Sequence, residues 1–196
     1  MSLVLASGSR ARQALLANAG VAFDIVLAAI DERAAEQPLL DAGASPDDIA
    51  LALAMIKASS VSENRGGDLV IGADQVLDLD VERLTKPADM EAARRQLLRL
   101  SGRTHVLHSA VATARTGEIL WQHVETARLT MRRIEPAEIG RYLAEAGPAV
   151  LTSVGAYQVE GPGIRLFERI DGDYFAILGL PLLPLLAFLR SEGAIE

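Results

Sequence analysis

The sequence predicts an α/β protein with a mixed β-sheet, because helix and strand patterns alternate along the chain and two strands form a predicted hairpin. The hairpin pairs residues 106–113 with residues 119–131 across a turn at 115–118. The chain of 196 residues is 50% hydrophobic and 23% charged, which is enough apolar material for a core and excludes intrinsic disorder. No linker, repeat or low-complexity tract divides it, so we expect a single domain over residues 1–196.

Three elements are predicted before residue 30. Residues 3–5 are a short apolar run that predicts a buried strand. A helix follows the polar turn at residues 7–9 and ends at Gly20, because glycine is common just beyond a helix C-terminus. The apolar side of this helix is predicted to carry Leu15, Leu16 and Ala19. Residues 23–27 predict a second strand.

A long helix and a buried strand are predicted next. The helix begins at Pro46 and runs to about Ser62, because Ser45 is a good N-cap and proline suits the first helical position. The strand covers residues 69–71 and ends at residues 72–74, and the chain after it stays extended.

The remaining elements are mostly helices. Asp89 is predicted to cap a helix that ends at Leu100, and Pro136 to open a helix that ends near residue 146. Residues 165–170 have strand character, and a leucine-rich helix closes the chain. These predicted boundaries indicate which of the motifs discussed below stand at the ends of helices and strands.

Composition and charge exclude several classes of function. The formal charge of −7 argues against charge-driven binding to nucleic acid or to an anionic membrane. The absence of cysteine excludes disulfide scaffolds, thiolate nucleophiles and cysteine-containing zinc sites. The N-terminus has no cationic flank of a signal peptide, and the apolar stretch at residues 176–189 is too short to span a bilayer. We therefore expect a cytoplasmic protein.

The turn at residues 7–12 is a candidate anion site. A strand, a small-residue turn and a helix start present amide groups and the positive end of the helix dipole to an anion. Ser7 lies in this turn, and Arg10 or Arg12 can reach a phosphate. The alternative is a helix-capping loop with a solvated arginine, because the spacing is not that of a P-loop.

Acidic and basic residues mark two further segments. Asp31 and Glu32 follow a predicted strand, and an acidic pair in a loop is usually only solvated. Lys57 stands on the long helix between apolar residues, where a lysine often extends to the surface. Asp74 comes where a buried strand is predicted to end, so it is either a magnesium ligand or base, or an aspartate that stabilises a turn. Lys86 follows shortly afterwards.

Glycines surround Glu160 in the fourth segment. Gly161 and Gly163 allow the backbone to approach a flat ligand such as a nucleobase, but they equally suit a plain loop. The three histidines show no metal-ligand spacing, and we assign them no catalytic role; His105 and His108 are predicted to lie on a strand.

Eight segments together form a recognisable pattern. They are Ser7–Leu16, Asp31-Glu32, Lys57-Ala58, Gly72–Asp74, Lys86-Pro87, Leu100–His105, Gly155–Tyr157, and Gly172–Tyr174 with Gly179–Pro181. In order and spacing this pattern resembles the Maf family of nucleoside triphosphate pyrophosphatases, which has been linked to inhibition of septum formation. The resemblance covers nearly the whole chain.

The resemblance implies a cytoplasmic enzyme that cleaves a nucleoside triphosphate between the α and β phosphorus atoms. A homodimer is an expectation from the family alone. It implies an elongated fold like that of inosine triphosphatases, with a central mixed sheet flanked by helices and a deep cleft between two lobes. By position, the resemblance implies that Asp74 is the proton acceptor and that Glu32 lies near metal and water. It implies that Lys57 and Lys86 act at the phosphates as catalytic residues, and that Ser7 and Arg12 also contact phosphate. Glu32 and Asp74 supply hard oxygen ligands that suit magnesium or manganese.

Three positions indicate the base. The three positions are Ala11, Gln75 and Glu160, and there this chain resembles the branch of the family that acts on 7-methyl-GTP. A carboxylate at residue 160 accepts hydrogen bonds from guanine and complements the positive charge of a 7-methylated ring. Arg10 stands where the family usually has proline, and it can restore a cation near the position that Ala11 has lost. Residues 155–157 look more like the branch that acts on dTTP and UTP, so a pyrimidine or broad substrate range stays open.

Two other functions remain as alternatives at this point. One is an inosine triphosphate pyrophosphatase, which has a similar reaction. The other is a nucleotide-binding regulator of septum formation that no longer hydrolyses. The presence of all the expected charged positions favours hydrolysis.

Overall fold

The computed structural model describes residues 2–80 and 82–196. Within those ranges the strands are β1 (Leu3–Leu5), β2 (Asp24–Ile25), β3 (Leu69–Leu79), β4 (Glu82–Leu84), β5 (Thr104–Arg115), β6 (Glu118–Met131) and β7 (Phe167–Asp171). The α-helices are α1 (Arg10–Asn18), α2 (Glu32–Asp41), α3 (Pro46–Ser62), α4 (Met90–Leu100), α5 (Pro136–Ala146), α6 (Tyr174–Ile177) and α7 (Leu182–Ser191). Two 3-10 helices, at Gly147–Thr152 and Pro162–Leu166, complete the regular structure of the described ranges.

The sheet has the strand order β2-β1-β3-β5-β6-β7, with β4 paired to β3. It is mixed: β1 pairs in parallel with β2 and β3, whereas β4 is antiparallel to β3 and β7 is antiparallel to β6. The predicted α/β class with a mixed sheet is therefore confirmed. In the part of the chain that the structure describes, no helix is both long and apolar enough to cross a membrane.

The chain contacts divide the protein into two compact units. The first contains the described residues up to Gln75, with His108–Glu125 and Gly179–Glu196. The second contains the described residues of Val76–Leu107 and Thr126–Leu178. The expectation of one domain over residues 1–196, and of a cleft between two lobes, stays a prediction.

In the first unit, α3 lies directly against β3. A Cβ atom on Gly72 would come within 2.2 Å of the Ala54 carbonyl oxygen and 2.6 Å of the Ala58 nitrogen. No larger residue fits there without moving the helix from the strand. This contact fixes the separation of the two elements that carry the charged residues described below.

The second unit has its own apolar core. Leucines of β3, α4 and β6 meet there with Ile139 of α5, and all are buried. Helix α4 begins at its predicted N-cap, because the Asp89 side chain accepts a hydrogen bond from the Ala92 amide at 2.7 Å. Helix α5 begins at Pro136, also as predicted.

Some local predictions are confirmed and others are wrong. Helix α3 begins and ends as predicted, with Ser45 and Asp48 forming a reciprocal capping box. The strand predicted at 23–27 is only the exposed pair Asp24–Ile25, and Ala19 is the exposed C-cap of α1 instead of part of its apolar face. The predicted strand at 165–170 begins only at Phe167, because the preceding residues form a 3-10 helix.

Helix α2 is an element that the sequence did not predict. Asp31 is its N-cap and accepts a hydrogen bond from the Ala34 amide at 3.1 Å, and Glu32 is its first residue. Pro38 lies inside the helix and provides no amide hydrogen, so the segment lacks the usual sequence pattern of a helix. The acidic pair is therefore a helix start and not part of a loop.

Candidate active site

Lys57 is the centre of a group of charged side chains in the first unit. Its Nζ atom lies 2.6 Å from Oδ1 of Asp74 and 2.9 Å from Oε1 of Glu32. The side chains of Lys57 and Asp74 are only 10% and 13% exposed, while that of Glu32 is 55% exposed. Lys57 is thus a buried partner of two carboxylates, and the alternative of a lysine extending to the surface is wrong.

The position of Asp74 follows from the packing of β3 on α3. Side chains alternate along a strand, so Asp74 points to the same face as Gly72, which touches α3. The sequence predicted a strand end at this point, but β3 continues without a break to Leu79. The turn-forming alternative for Asp74 is therefore wrong. An acidic side chain in the middle of a buried strand is unfavourable unless it is paired, and Lys57 provides that partner.

Arg12 is the second buried cation of this unit. Its Nε atom donates to the Gly179 carbonyl at 2.7 Å, and its Nη1 atom donates to the Ala73 carbonyl at 2.8 Å and to Ser7 Oγ at 3.1 Å. Among the described residues, Nη2 has no hydrogen-bond partner. The alternative of a solvated arginine is therefore wrong for Arg12, whereas Arg10 is exposed and Ser9 caps the helix, as that alternative expects.

Burial and nearby charges act on Arg12 in opposite directions. Burial lowers the pKa of the guanidinium below its ordinary value, and the negative charges of Asp74 and, less strongly, Glu32 oppose that change. Arginine stays protonated in proteins despite such shifts. Asp74 and Glu32 therefore act on both buried cations, through direct contact with Lys57 and through their charge on Arg12.

Ser7 connects Arg12 to the start of α1. The Ser7 side chain is buried and accepts hydrogen bonds from Arg12 and from the Ser9 amide at 3.3 Å. Ser9 is the N-cap of α1 and accepts from the Arg12 amide. Arg10 is exposed and Ala11 is half-buried on the same helix. The predicted turn thus lies at a helix N-terminus, where anions are stabilised.

Gln75 points away from the Lys57 group. It follows Asp74 in β3, and its Nε2 atom donates to Oγ of Ser109 on β5 at 2.8 Å. Because neighbouring residues of a strand point to opposite faces, Gln75 and Asp74 lie on different faces of β3. Ser109 could not be singled out from the sequence, since a lone serine in an apolar strand is also an ordinary core residue.

Lys86 and Glu160 belong to the second unit. Lys86 is exposed just after β4, and Glu160 is exposed just before the 3-10 helix at 162–166. The nearby Gly163 has a structural reason of its own, because a Cβ atom there would lie 2.5 Å from the Gln158 carbonyl oxygen. The plain-loop explanation therefore accounts for this glycine, and the roles of Lys86 and Glu160 stay predictions.

The histidines lie where the sequence predicted, on β5 and β6. His105 is buried in the second unit against Tyr157, and His108 contacts Asp47 at the start of α3 in the first unit. Within residues 2–80 and 82–196, no group of three or more His, Asp or Glu side chains is placed to hold a metal. A metal at Glu32 and Asp74 would thus need further ligands from a substrate.

Comparisons with known proteins agree with the motif pattern. The family model described as Maf-like protein matches residues 2–192. A 7-methyl-GTP pyrophosphatase of Mesorhizobium japonicum is 59% identical over 99% of this chain and 98% of its own, and one of Brucella abortus is 59% identical over 100% and 98%. A nucleoside triphosphate pyrophosphatase of Rhodopseudomonas palustris is 56% identical over 97% of this chain and 94% of its own. This chain belongs to the Maf family.

Proposed function

We propose that the chain hydrolyses a nucleoside triphosphate, with 7-methyl-GTP as the preferred substrate, to the nucleoside monophosphate and diphosphate. The observation that carries this proposal is the buried contact of Lys57 with Asp74, at 2.6 Å, in the same unit as the buried Arg12. The names of relatives that are 59% identical support the substrate class. Buried charges are costly for stability, which favours a role in binding or catalysis for this group.

The cations have a direct use in this reaction. Negative charge increases on the pyrophosphate as the bond to the α phosphorus breaks, and fixed cations stabilise that charge. Lys57 and Nη2 of Arg12 would contact phosphate oxygens, and the α1 N-terminus beside Ser7 would add amide groups. Lys86 is expected to contribute from the second unit, by its match to the family motif.

Asp74 is the proposed proton acceptor. A water molecule that attacks the α phosphorus must lose a proton, and a carboxylate within hydrogen-bond distance can accept it. Lys57 holds one Asp74 oxygen at 2.6 Å, so the carboxylate has a fixed orientation. The second oxygen of the same carboxylate would then receive the proton while the pyrophosphate leaves.

A divalent metal fits the donor atoms of this site. Magnesium and manganese prefer oxygen ligands, and magnesium is commonly bound by one or two carboxylates together with substrate phosphates. Glu32 and Asp74 provide two carboxylates that approach the same lysine. The metal, when bound with substrate, would neutralise phosphate charge; the residues that would hold it are Glu32 and Asp74.

The preference for the base rests on residues Ala11, Gln75 and Glu160. Glu160 is exposed and can accept hydrogen bonds from the N1 and amino groups of guanine. One argument for the dTTP and UTP branch becomes weaker, because Gly155 has a packing role: a Cβ atom there would lie 2.1 Å from the Tyr157 ring. The Gly155–Tyr157 motif therefore serves the core of the second unit, whatever the base.

A nucleotide panel tests the proposal. Purified protein is incubated with 7-methyl-GTP, GTP, ITP, dTTP or UTP and with magnesium or manganese, and diphosphate and orthophosphate are measured separately. We expect diphosphate release with the highest kcat/KM for 7-methyl-GTP. Faster turnover of dTTP or UTP would reject the base assignment, and faster turnover of ITP would favour the inosine triphosphatase alternative. Binding without release would favour the non-hydrolysing regulator. Location in the cytoplasm, homodimer formation and a role in septum formation stay predictions.

A further inference from the structure

The guanidinium of Arg12 is held by backbone carbonyls from distant parts of the chain. The Gly179 carbonyl accepts from Nε at 2.7 Å and the Ala73 carbonyl accepts from Nη1 at 2.8 Å. Because the guanidinium is planar and rigid, fixing two of its nitrogens also fixes the direction of the third. That third nitrogen, Nη2, is the one without a hydrogen-bond partner in the described part of the chain.

Two features of position 179, its backbone conformation and its distance from Arg12, favour a residue without a side chain. Its φ angle is +96°, a backbone conformation that residues with a side chain rarely adopt. A Cβ atom at this position would lie 3.3 Å from Nε and 3.4 Å from Nη2 of Arg12. Glycine therefore lets the carbonyl face Nε and places no side-chain atom against Nη2.

The backbone that carries this carbonyl is firmly packed in the first unit. Leu180 is fully buried, and Leu182, the first residue of α7, is 4% exposed. Pro181 between them is buried and has a restricted φ angle. The carbonyl of Gly179 is thus a fixed acceptor and not part of a freely moving loop.

From this geometry we infer that Gly179 is a positioning residue, which directs Nη2 of Arg12 to an oxygen of the substrate's polyphosphate. The inference rests on the proposed function and identifies a contribution of the chain near its C-terminus to phosphate binding. It differs from a purely structural need for glycine, because it requires the effect of a substitution to pass through Arg12.

Two substitutions separate crowding of Arg12 from backbone strain. Gly179→Ala introduces both, while Gly179→Asn introduces a Cβ atom but tolerates a positive φ angle better. Gly193 supplies the matched control, since its φ angle is +66° and a Cβ atom there would meet no atom of residues 2–80 or 82–196 within 4 Å. Gly193→Ala and Gly193→Asn therefore test the strain alone.

The experiment measures kcat, KM and thermal unfolding for these four variants and binding of inorganic pyrophosphate by calorimetry. A hydrogen bond to a charged group is worth about tenfold or more in binding, so we expect both Gly179 variants to raise KM and weaken pyrophosphate binding by about tenfold. The Gly193 variants should change KM and the affinity for pyrophosphate by no more than about twofold. Arg12→Lys removes the planar group. In that background the Gly179 substitutions should change KM and pyrophosphate binding by less than about twofold.

Three outcomes would overturn the inference: equal effects at Gly179 and Gly193, normal pyrophosphate binding in Gly179→Asn, or an undiminished Gly179 effect in the Arg12→Lys background. Pyrophosphate binding does not depend on hydrolysis, so it also distinguishes this failure from failure of the proposed function. If the protein releases diphosphate from no nucleotide but Gly179→Asn still weakens pyrophosphate binding through Arg12, the proposed hydrolysis is wrong and the positioning role holds.

Discussion

Mild acid is expected to destabilise the protein through His105. This side chain is 1% exposed, its Nε2 atom lies 2.7 Å from the Tyr157 hydroxyl, and its Nδ1 atom is buried without a hydrogen-bond partner in the described structure. Burial lowers the pKa of His105 from 6.5 to about 4, and the charge of Asp78 opposes this change only in part. The folded protein therefore keeps the imidazole neutral.

The magnitude follows from the difference in pKa between the folded and unfolded states. Between pH 6.5 and about 4 the unfolded chain binds a proton at His105 that the folded protein does not, so the free energy of unfolding decreases as the pH falls through this window. With about 1.4 kcal/mol for each pKa unit, the loss from His105 is about 2 kcal/mol at pH 5 and about 3 kcal/mol below pH 4. At neutral pH this contribution is fully present.

Urea unfolding at pH 7.5 and pH 5.0 measures this effect in the wild type and in His105→Gln, which cannot be protonated in this range. We expect the variant to be less stable at pH 7.5, because a buried hydrogen bond and core packing change. Its loss of stability between the two pH values should be smaller than that of the wild type by about 2 kcal/mol. An equal loss in both proteins would show that protonation of His105 does not cause the destabilisation in acid.

Two further predictions concern packing and base selectivity. Gly72→Ala should lower the free energy of unfolding in urea by about 3 kcal/mol or more and reduce activity, because the new methyl group would push α3 from β3. The control is Gly140→Ala, on a helix where no described atom lies near the added methyl group, and it should be neutral or stabilising. A similar loss of stability in Gly140→Ala would show that crowding at Gly72 is not the cause. Ser109→Ala removes the acceptor of Gln75 and should change the kcat/KM ratio of 7-methyl-GTP to UTP by about fivefold. Thr113→Val removes, from the same face of β5, a hydroxyl that has no hydrogen-bond partner among the described residues, and it should leave the ratio unchanged. Equal ratios in all three proteins would exclude a role for Ser109.

Local signals predicted much of the secondary structure. Ser45 and Pro46 located the start of α3, and Asp89 located the start of α4, because capping depends on residues within one turn. Helix α2 was missed since Pro38 interrupts its pattern, although tertiary packing on α3 stabilises it. Strand β3 was predicted to end early, because the pairing of Asp74 with a lysine on another element is not visible in the local sequence.

The site was predictable as a set of residues but not as a geometry. The motif pattern selected Arg12, Lys57 and Asp74, and the structure brings them into one unit. The carbonyl partners of Arg12 come from positions 61 and 167 residues away, and a backbone carbonyl has no signature in the residue type. Gly179 therefore became interpretable only when the direction of its carbonyl was known.

Asp74→Asn tests whether Asp74 accepts the proton of the attacking water, the step on which the proposed hydrolysis depends. Asparagine keeps the size of the side chain but is not a base, so diphosphate release from 7-methyl-GTP should fall at least about 100-fold while the nucleotide still binds. Asp80→Asn makes the same change at an exposed position just beyond β3 and should keep the wild-type rate. Release at the wild-type rate by Asp74→Asn would show that Asp74 is not the proton acceptor.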